Sequence, residues 1–204
     1  GIKINTVQQA LTKLLEDGFS DVYIQPTHVI EGDEYDLIKM ITDEYRESFM
    51  SIRLGHALLS DDEDMKRLAG ILDRQTSDRS DPKTARVFMG HGTIHTANRV
   101  YSRLQDAINR EGINNMFIAT VEAAPSIRDI AEKLKAAEVK RVLLSPLMIV
   151  AGEHAVNDMA GSCEDSWRTI LEKEGFEVCC RVEGLGSIYQ VQKMIADHCR
   201  ELIQ

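Results

Sequence analysis

No apolar run in these 204 residues approaches the roughly 20 residues that a helix needs to cross a bilayer, so a helical membrane span is excluded. Nor is there an excess of basic residues. The 24 Lys and Arg stand against 33 Asp and Glu, a formal net charge of -9. Nucleic acid and anionic membrane surfaces both require clustered cations, so neither is expected as a partner. Cysteine is scarce. Cys163, Cys179, Cys180 and Cys199 form no CxxC pair and no zinc-knuckle spacing, and adjacent residues on a strand point to opposite faces. Reduced structural thiols in a cytoplasmic protein are the expectation. No P-loop or dinucleotide fingerprint occurs, so no nucleotide is expected. A signal peptide is absent too, but Gly1 leads into a helical pattern without an initiator methionine. A shortened or processed chain is therefore expected, and the missing signal carries little weight.

What is present is the composition of a globular protein, 43% hydrophobic and 28% charged, long enough for one substantial core or two small ones. Helical spacing of Val7, Ala10, Leu11, Leu14 and Leu15 ends at Gly18. A strand is expected over Asp21–Thr27, a helix over Glu34–Met50, a short strand over Ser51–Gly55 and a charged amphipathic helix over Asp61–Asp73. A polar linker, Arg74–Lys83, follows. Strands near Ala85–Met89, Met116–Val121, Arg141–Ser145 and Glu177–Val182 then alternate with helices near His95–Arg110, Ser126–Ala137, Ala155–Glu174 and Ser187–Leu202. That alternation is the mark of βαβ units around a parallel sheet.

The chain also repeats itself. Residues 21–34 align with 141–154, setting Pro26 on Pro146, Gly32 on Gly152 and Glu34 on His154. The predicted fold is α/β, with two similar lobes, each a parallel sheet flanked by helices. The lobes are expected over 1–82 and 83–204, and the first lacks a counterpart of the Val87–Leu104 strand, loop and helix.

Two stretches carry the chemistry. Met89-Gly90-His91-Gly92-Thr93 and Met148-Ile149-Val150-Ala151-Gly152-Glu153-His154 each follow an apolar run and break at a glycine near a histidine. Loops at the carboxyl ends of parallel strands converge on one crevice, and imidazole takes protons or binds divalent metals near neutral pH. Glu122 ends a third strand and could complete a His–Glu–His set of nitrogen and oxygen ligands. Each residue has a plainer reading. His91 would cap the next helix, His154 would sit in a surface loop, and Glu122 would be a solvated acid. His95 reads as a solvent-facing helix-start residue, His28 as a buried hydrogen-bonded one, and His56 and His198 as structural or exposed. Trp167, Met159 and Met148 could wall a flat ligand but read as core. Glu153, Asp158, Glu164 and Asp165 read as a solvated helix start.

Phe88-Met89-Gly90-His91-Gly92-Thr93 with His95, Ala97 and Asn98, then Thr120-Val121-Glu122, and Gly152-Glu153-His154-Ala155-Val156-Asn157-Asp158-Met159-Ala160-Gly161 with Asp165-Ser166-Trp167 closely resemble the anaerobic cobalt chelatases. Gln25-Pro26-Thr27-His28-Val29-Ile30-Glu31-Gly32-Asp33-Glu34-Tyr35 resembles the same family. The resemblance implies insertion of Co2+, a substrate metal, into the tetrapyrrole sirohydrochlorin on the route to cobalamin. It makes His91, Glu122 and His154 the metal-binding positions and His91 and His154 the catalytic ones, with His91 the main base. Gly90, Gly92, Met148, Gly152 and Glu153 would contact the substrate. It also implies a further N-terminal strand and helix ahead of this chain's first residue, so the first lobe is expected to be incomplete. Relatives commonly assemble as trimers or larger rings, so a homo-oligomer is open, and some are exported, so a periplasmic location is open beside the cytoplasmic one. Competing readings are a sirohydrochlorin ferrochelatase or nickel chelatase, a non-catalytic tetrapyrrole or metal carrier, and a flavodoxin-like signalling module.

Overall fold

The computed structural model describes residues 4–75 and 81–204. Thr6 opens α1 (Val7–Glu16) with a reciprocal cap: its hydroxyl accepts from the Gln9 N–H, and its own N–H donates to the Gln9 side chain. Gly18, at φ +82°, ends that segment in a conformation other residues rarely adopt. Strand β1 (Asp21–Ile24) pairs in parallel with β2 (Ser51–Leu54), Val22 opposite Ile52. Between them α2 runs over Asp33–Glu44, shorter than the expected Glu34–Met50. Beyond Glu44 the Tyr45 hydroxyl bonds with that of Thr12 at 2.7 Å and its ring stacks 6.5 Å from Phe49. Phe49 is buried with Leu11 and Val22, so the chain turns into this small core instead of prolonging the helix.

The larger sheet has the order β4–β3–β5–β6 (Met116–Thr120, Thr84–Gly90, Arg141–Pro146 and Glu177–Cys180), all parallel. Every residue of β3 is buried, as expected for a central strand with helices on both faces. Phe88 faces a core shared with α3 (Asp62–Arg74), α4 (Arg99–Arg110) and α7 (Tyr189–Ile203). Its neighbours Val87 and Met89 face the opposite core, shared with α5 (Ile127–Ala136) and α6 (Trp167–Lys173). Met159 and Trp167 are buried in that second core. The expected single helix Ala155–Glu174 is two pieces. A π turn spans His154–Met159, and α6 begins afresh at Ser166, whose hydroxyl accepts from the Thr169 N–H. A Cβ on Gly161 would lie 2.2 Å from the Asn157 carbonyl oxygen, and that tight join breaks the helical periodicity. The expected linker at 74–83 lies mostly outside the described residues.

The connection after β3 moves to β4 over one face, and the connection after β5 moves to β6 over the other. The two strands whose connections diverge in this way open a crevice at their carboxyl ends. The small sheet forms the opposite wall. Its ladder continues past β1 and β2 through Leu58 N–H to His28 carbonyl (2.9 Å) and Leu59 N–H to Val29 carbonyl (3.0 Å), and both leucines are buried in the α3–α4–α7 core. Helix α7 returns to the small sheet, where Arg53 donates to the Leu202 carbonyl at 2.8 Å. No helix among the described residues is long and apolar enough to cross a membrane.

Helices α3 and α7 are joined by His198 Nε2 and Asp64 Oδ1 at 2.9 Å, both side chains about nine-tenths buried. The Asp64 bond raises the imidazole pKa despite its burial. Burial pushes the Asp64 carboxyl up, and hydrogen bonds from His198 and Ser60 overcome it and leave it lowered. The His198 contribution is complete below the unfolded imidazole value of about 6.5 and disappears as pH rises through the raised folded value. The Asp64 contribution is present above about 3.9 and disappears as pH falls through the lowered one. Urea unfolding from pH 5.5 to 8.5 is therefore expected to show stability declining across the upper part of that window, and Asp64→Asn should flatten the slope.

Candidate functional site

Strand β3 delivers its last residues into the crevice through two glycines that the backbone demands. A Cβ on Gly90 would lie 2.3 Å from Cε1 of Tyr101, inside its ring contact. Gly92 has φ +84°, and a Cβ there would lie 2.9 Å from the Ala123 nitrogen. Between them His91 turns away from the sheet. Its carbonyl accepts from Val121 N–H at 3.1 Å and from Glu122 N–H at 2.9 Å, so the end of β4 is pinned to the end of β3. That places Glu122 Oε1 3.4 Å from His91 Nε2.

The loop after β5 supplies the third group. His154 opens the π turn, and its ring centre lies 4.7 Å from that of His91, tilted by 46°. Ligand atoms of His91, Glu122 and His154 all fall within 4.8 Å of one another. The His91 and Glu122 side chains are half-exposed and His154 about one-third exposed, so the set is open to an incoming ion. Asp158 Oδ2 sits 2.5 Å from His154 Nδ1, which leaves Nε2 of that ring for a ligand. An Asp four residues after a His was the available signal in the sequence, and the expectation of a solvated helix start missed it. The π turn itself has no sequence period to announce it.

The cleft beside this set has a volume of about 440 Å³. His91, Gly92, Glu122 and Met148 line it, together with Tyr101, Leu147 and Ile149 on the large-sheet wall. Gly90 packs against the Tyr101 ring and is not among the lining residues. Gly152 and Glu153 lead into the π turn and are not among the lining residues, and a Cβ on Gly152 would meet nothing within 4 Å. Gly184 and Gly186, which sequence reasoning passed over, cradle the β5 loop: a Cβ on either would come within 3 Å of the Ile149 carbonyl. Tyr101 was also missed. Its hydroxyl accepts from the Gly92 N–H, and burial raises its pKa. The small-sheet wall contributes Thr27 to Ile30, Gly32, Asp33 and Glu34. His28 is thus on the cleft, and Nδ1 has no hydrogen bond, contrary to the bonded core histidine expected. The aligned repeat sets His28 on Met148, and both line the cleft from opposite walls.

The remaining histidines lie elsewhere. His95 accepts from the Ala97 N–H through Nδ1 and faces Asp36 of α2 at 3.3 Å through Nε2. His56 pairs with Glu31, and His198 is the buried residue described above.

Over residues 1–204 the chain matches the family model described as cobalt chelatase, CbiK. The chain belongs to the cobalt chelatase family. A relative from Salmonella typhimurium named sirohydrochlorin cobaltochelatase is 34% identical over 203 residues, covering 100% of this chain and 76% of that protein. The sirohydrochlorin cobaltochelatase CbiKC of Nitratidesulfovibrio vulgaris is 35% identical over 175 residues, covering 85% of this chain and 62% of its own length. Among solved structures, SirB from Bacillus subtilis with Fe3+ aligns at a TM-score of 0.68 with 12% identity, over 99% of this chain and 79% of that one. CbiX, described as the terminal enzyme of siroheme biosynthesis in denitrifying bacteria, aligns at 0.55 with 18% identity, over 92% and 78%. At such identities the likeness concerns the fold alone: parallel sheets flanked by helices.

Gly92→Ala is expected to cost about 1–3 kcal/mol through its left-handed backbone, read as a lower urea midpoint. A Gly152→Ala control, with open space and no positive φ, should stay near wild type.

Proposed function

We propose that this chain inserts Co2+ into sirohydrochlorin, releasing two protons for each ion inserted. The observation that carries the reading is the convergence of two imidazoles and one carboxylate, from three different strand ends, at the mouth of a cleft in a cobalt chelatase family member. The relatives that bear the name sirohydrochlorin cobaltochelatase support the choice of ring and metal.

In this reading His91, Glu122 and His154 replace water around the arriving cation with two neutral nitrogens and one oxygen, donors acceptable to a first-row metal. Asp158 keeps the His154 ring in the orientation that presents Nε2. Pyrrole N–H groups are weak acids, and a base within hydrogen-bond reach speeds their deprotonation. His91 is assigned as that base once the ion passes from it to the ring, because a nitrogen lone pair cannot hold the metal and a proton together. Glu122, half-exposed at 3.4 Å from His91, carries the proton on to solvent. Gly92 and Met148 shape the cleft against the ring, with Gly90, Gly152 and Glu153 supporting the loops.

Two sheets support a division into lobes at 82/83, with α3 and α7 packing across it. Four free cysteines suit a reducing compartment, the cytoplasm.

The test is anaerobic insertion of Co2+ into sirohydrochlorin, followed by the ring's absorption spectrum. Turnover well above the uncatalysed rate is expected for wild type, with a loss of about 100-fold or more in His91→Ala and His154→Ala. Fe2+ and Ni2+ run in parallel decide the metal, since nitrogen and oxygen ligands accept all three. Wild-type traces that coincide with the enzyme-free control would refute the reading. Asp158→Asn is expected to weaken Co2+ binding by about 10–100-fold, measured by titration of the cobalt absorption bands with the ring absent.

A further inference from the structure

Five of the six histidines have a carboxylate beside the ring: His56 with Glu31, His91 with Glu122, His95 with Asp36, His154 with Asp158 and His198 with Asp64. His28 has none among the described residues. Its backbone is fixed, since its carbonyl accepts from the Leu58 N–H at 2.9 Å and that of Val29 from Leu59 at 3.0 Å. His28 lines the cleft from the wall opposite His91, with Nδ1 buried and without a partner. A buried N–H with no acceptor is costlier and rarer than an unused lone pair. The tautomer that avoids this cost has its N–H at Nε2, the nitrogen left to meet a ligand in the cleft.

The charge around it says what that ligand needs. Asp33, Glu34 and Glu122 line the cleft, and among the described residues no Lys or Arg does. Such a lining suits a divalent cation and repels carboxylates. Sirohydrochlorin carries acetate and propionate arms around its ring, so any arm turned inward must find a donor here that brings no negative charge of its own.

We infer that His28 is a substrate-anchoring residue, its Nε2–H donating to a carboxylate arm of the tetrapyrrole and fixing the ring against the small-sheet wall while the metal is held at the other. This rests on the reading of the cleft as a tetrapyrrole site.

The experiment compares wild type, His28→Ala and His28→Gln. Gln retains an N–H donor but cannot act as a base at neutral pH. Metal-free sirohydrochlorin is titrated into each protein by absorption, and steady-state Co2+ insertion is run beside it. His28→Ala is expected to raise the dissociation constant for the ring, and KM, by about tenfold, with kcat within a factor of about three. His28→Gln should recover most of the affinity, with an unfolding midpoint matching wild type. Unchanged ring affinity in His28→Ala overturns the anchor. A fall in kcat that Gln does not rescue, with KM intact, also overturns it and makes His28 a proton-transfer group. If wild type binds the ring but inserts no cobalt, the chelatase reading fails and the binding comparison still decides His28. A wild type that binds no ring sinks both.

Discussion

Two backbone hydrogen bonds to the carbonyl of His91, from Val121 and Glu122, are the constraint on which the rest of the cleft depends. They tie the ends of two neighbouring strands together beyond the last residues of the sheet. The backbone of Glu122 is thereby held beside His91, which keeps its carboxylate within reach of the imidazole. The arrangement needs the positive φ of Gly92 and the missing Cβ of Gly90. It also needs Tyr101, whose ring fills the space that a larger residue at 90 would occupy. A pair of half-exposed polar side chains would otherwise gain little from adopting one geometry.

The third residue of the set is held by different means. His154 stands on a π turn, and its orientation comes from Asp158 on the same turn. The β5 loop that leads to it is pressed between Gly184 and Gly186 through the Ile149 carbonyl. One strand pair and one glycine-cradled loop, distant in sequence, thus converge on a set spanning under 5 Å.

Much of this was legible in the sequence, and the limits have physical causes. The buried run before Gly90 and the glycines beside His91 announced a strand end and a histidine loop, which the structure sets at the cleft, because punctuation by glycine is local. The repeat between residues 21–34 and 141–154 pointed to a duplicated lobe, and the structure sets the loops of both copies on one cleft. The contact between Glu122 and His91 depends on register between β3 and β4, which no local pattern encodes. Helix continuity across Ala155–Glu174 was misjudged because its apolar spacing continues through a segment that the Asn157–Gly161 contact and the Ser166 cap divide. His28 was misjudged for the opposite reason. A lone histidine after a strand usually finds a partner, and the lack of one is visible only once every neighbour has been placed.

All three groups of the His91 set belong to the larger sheet, whereas His28 and the acidic residues facing them belong to the smaller one. The two sheets are built to very different depths. The larger is packed on both faces, and the smaller has two strands over a core of Leu11, Val22 and Phe49. Free energy for local opening follows buried contact, so amide protons of β1 and β2 should exchange with solvent ahead of those around β3. The lining segment 27–30 is the exception on that side: tied through Leu58 and Leu59 to the deeper core, it holds the width of the cleft even while the strands that lead into it fray.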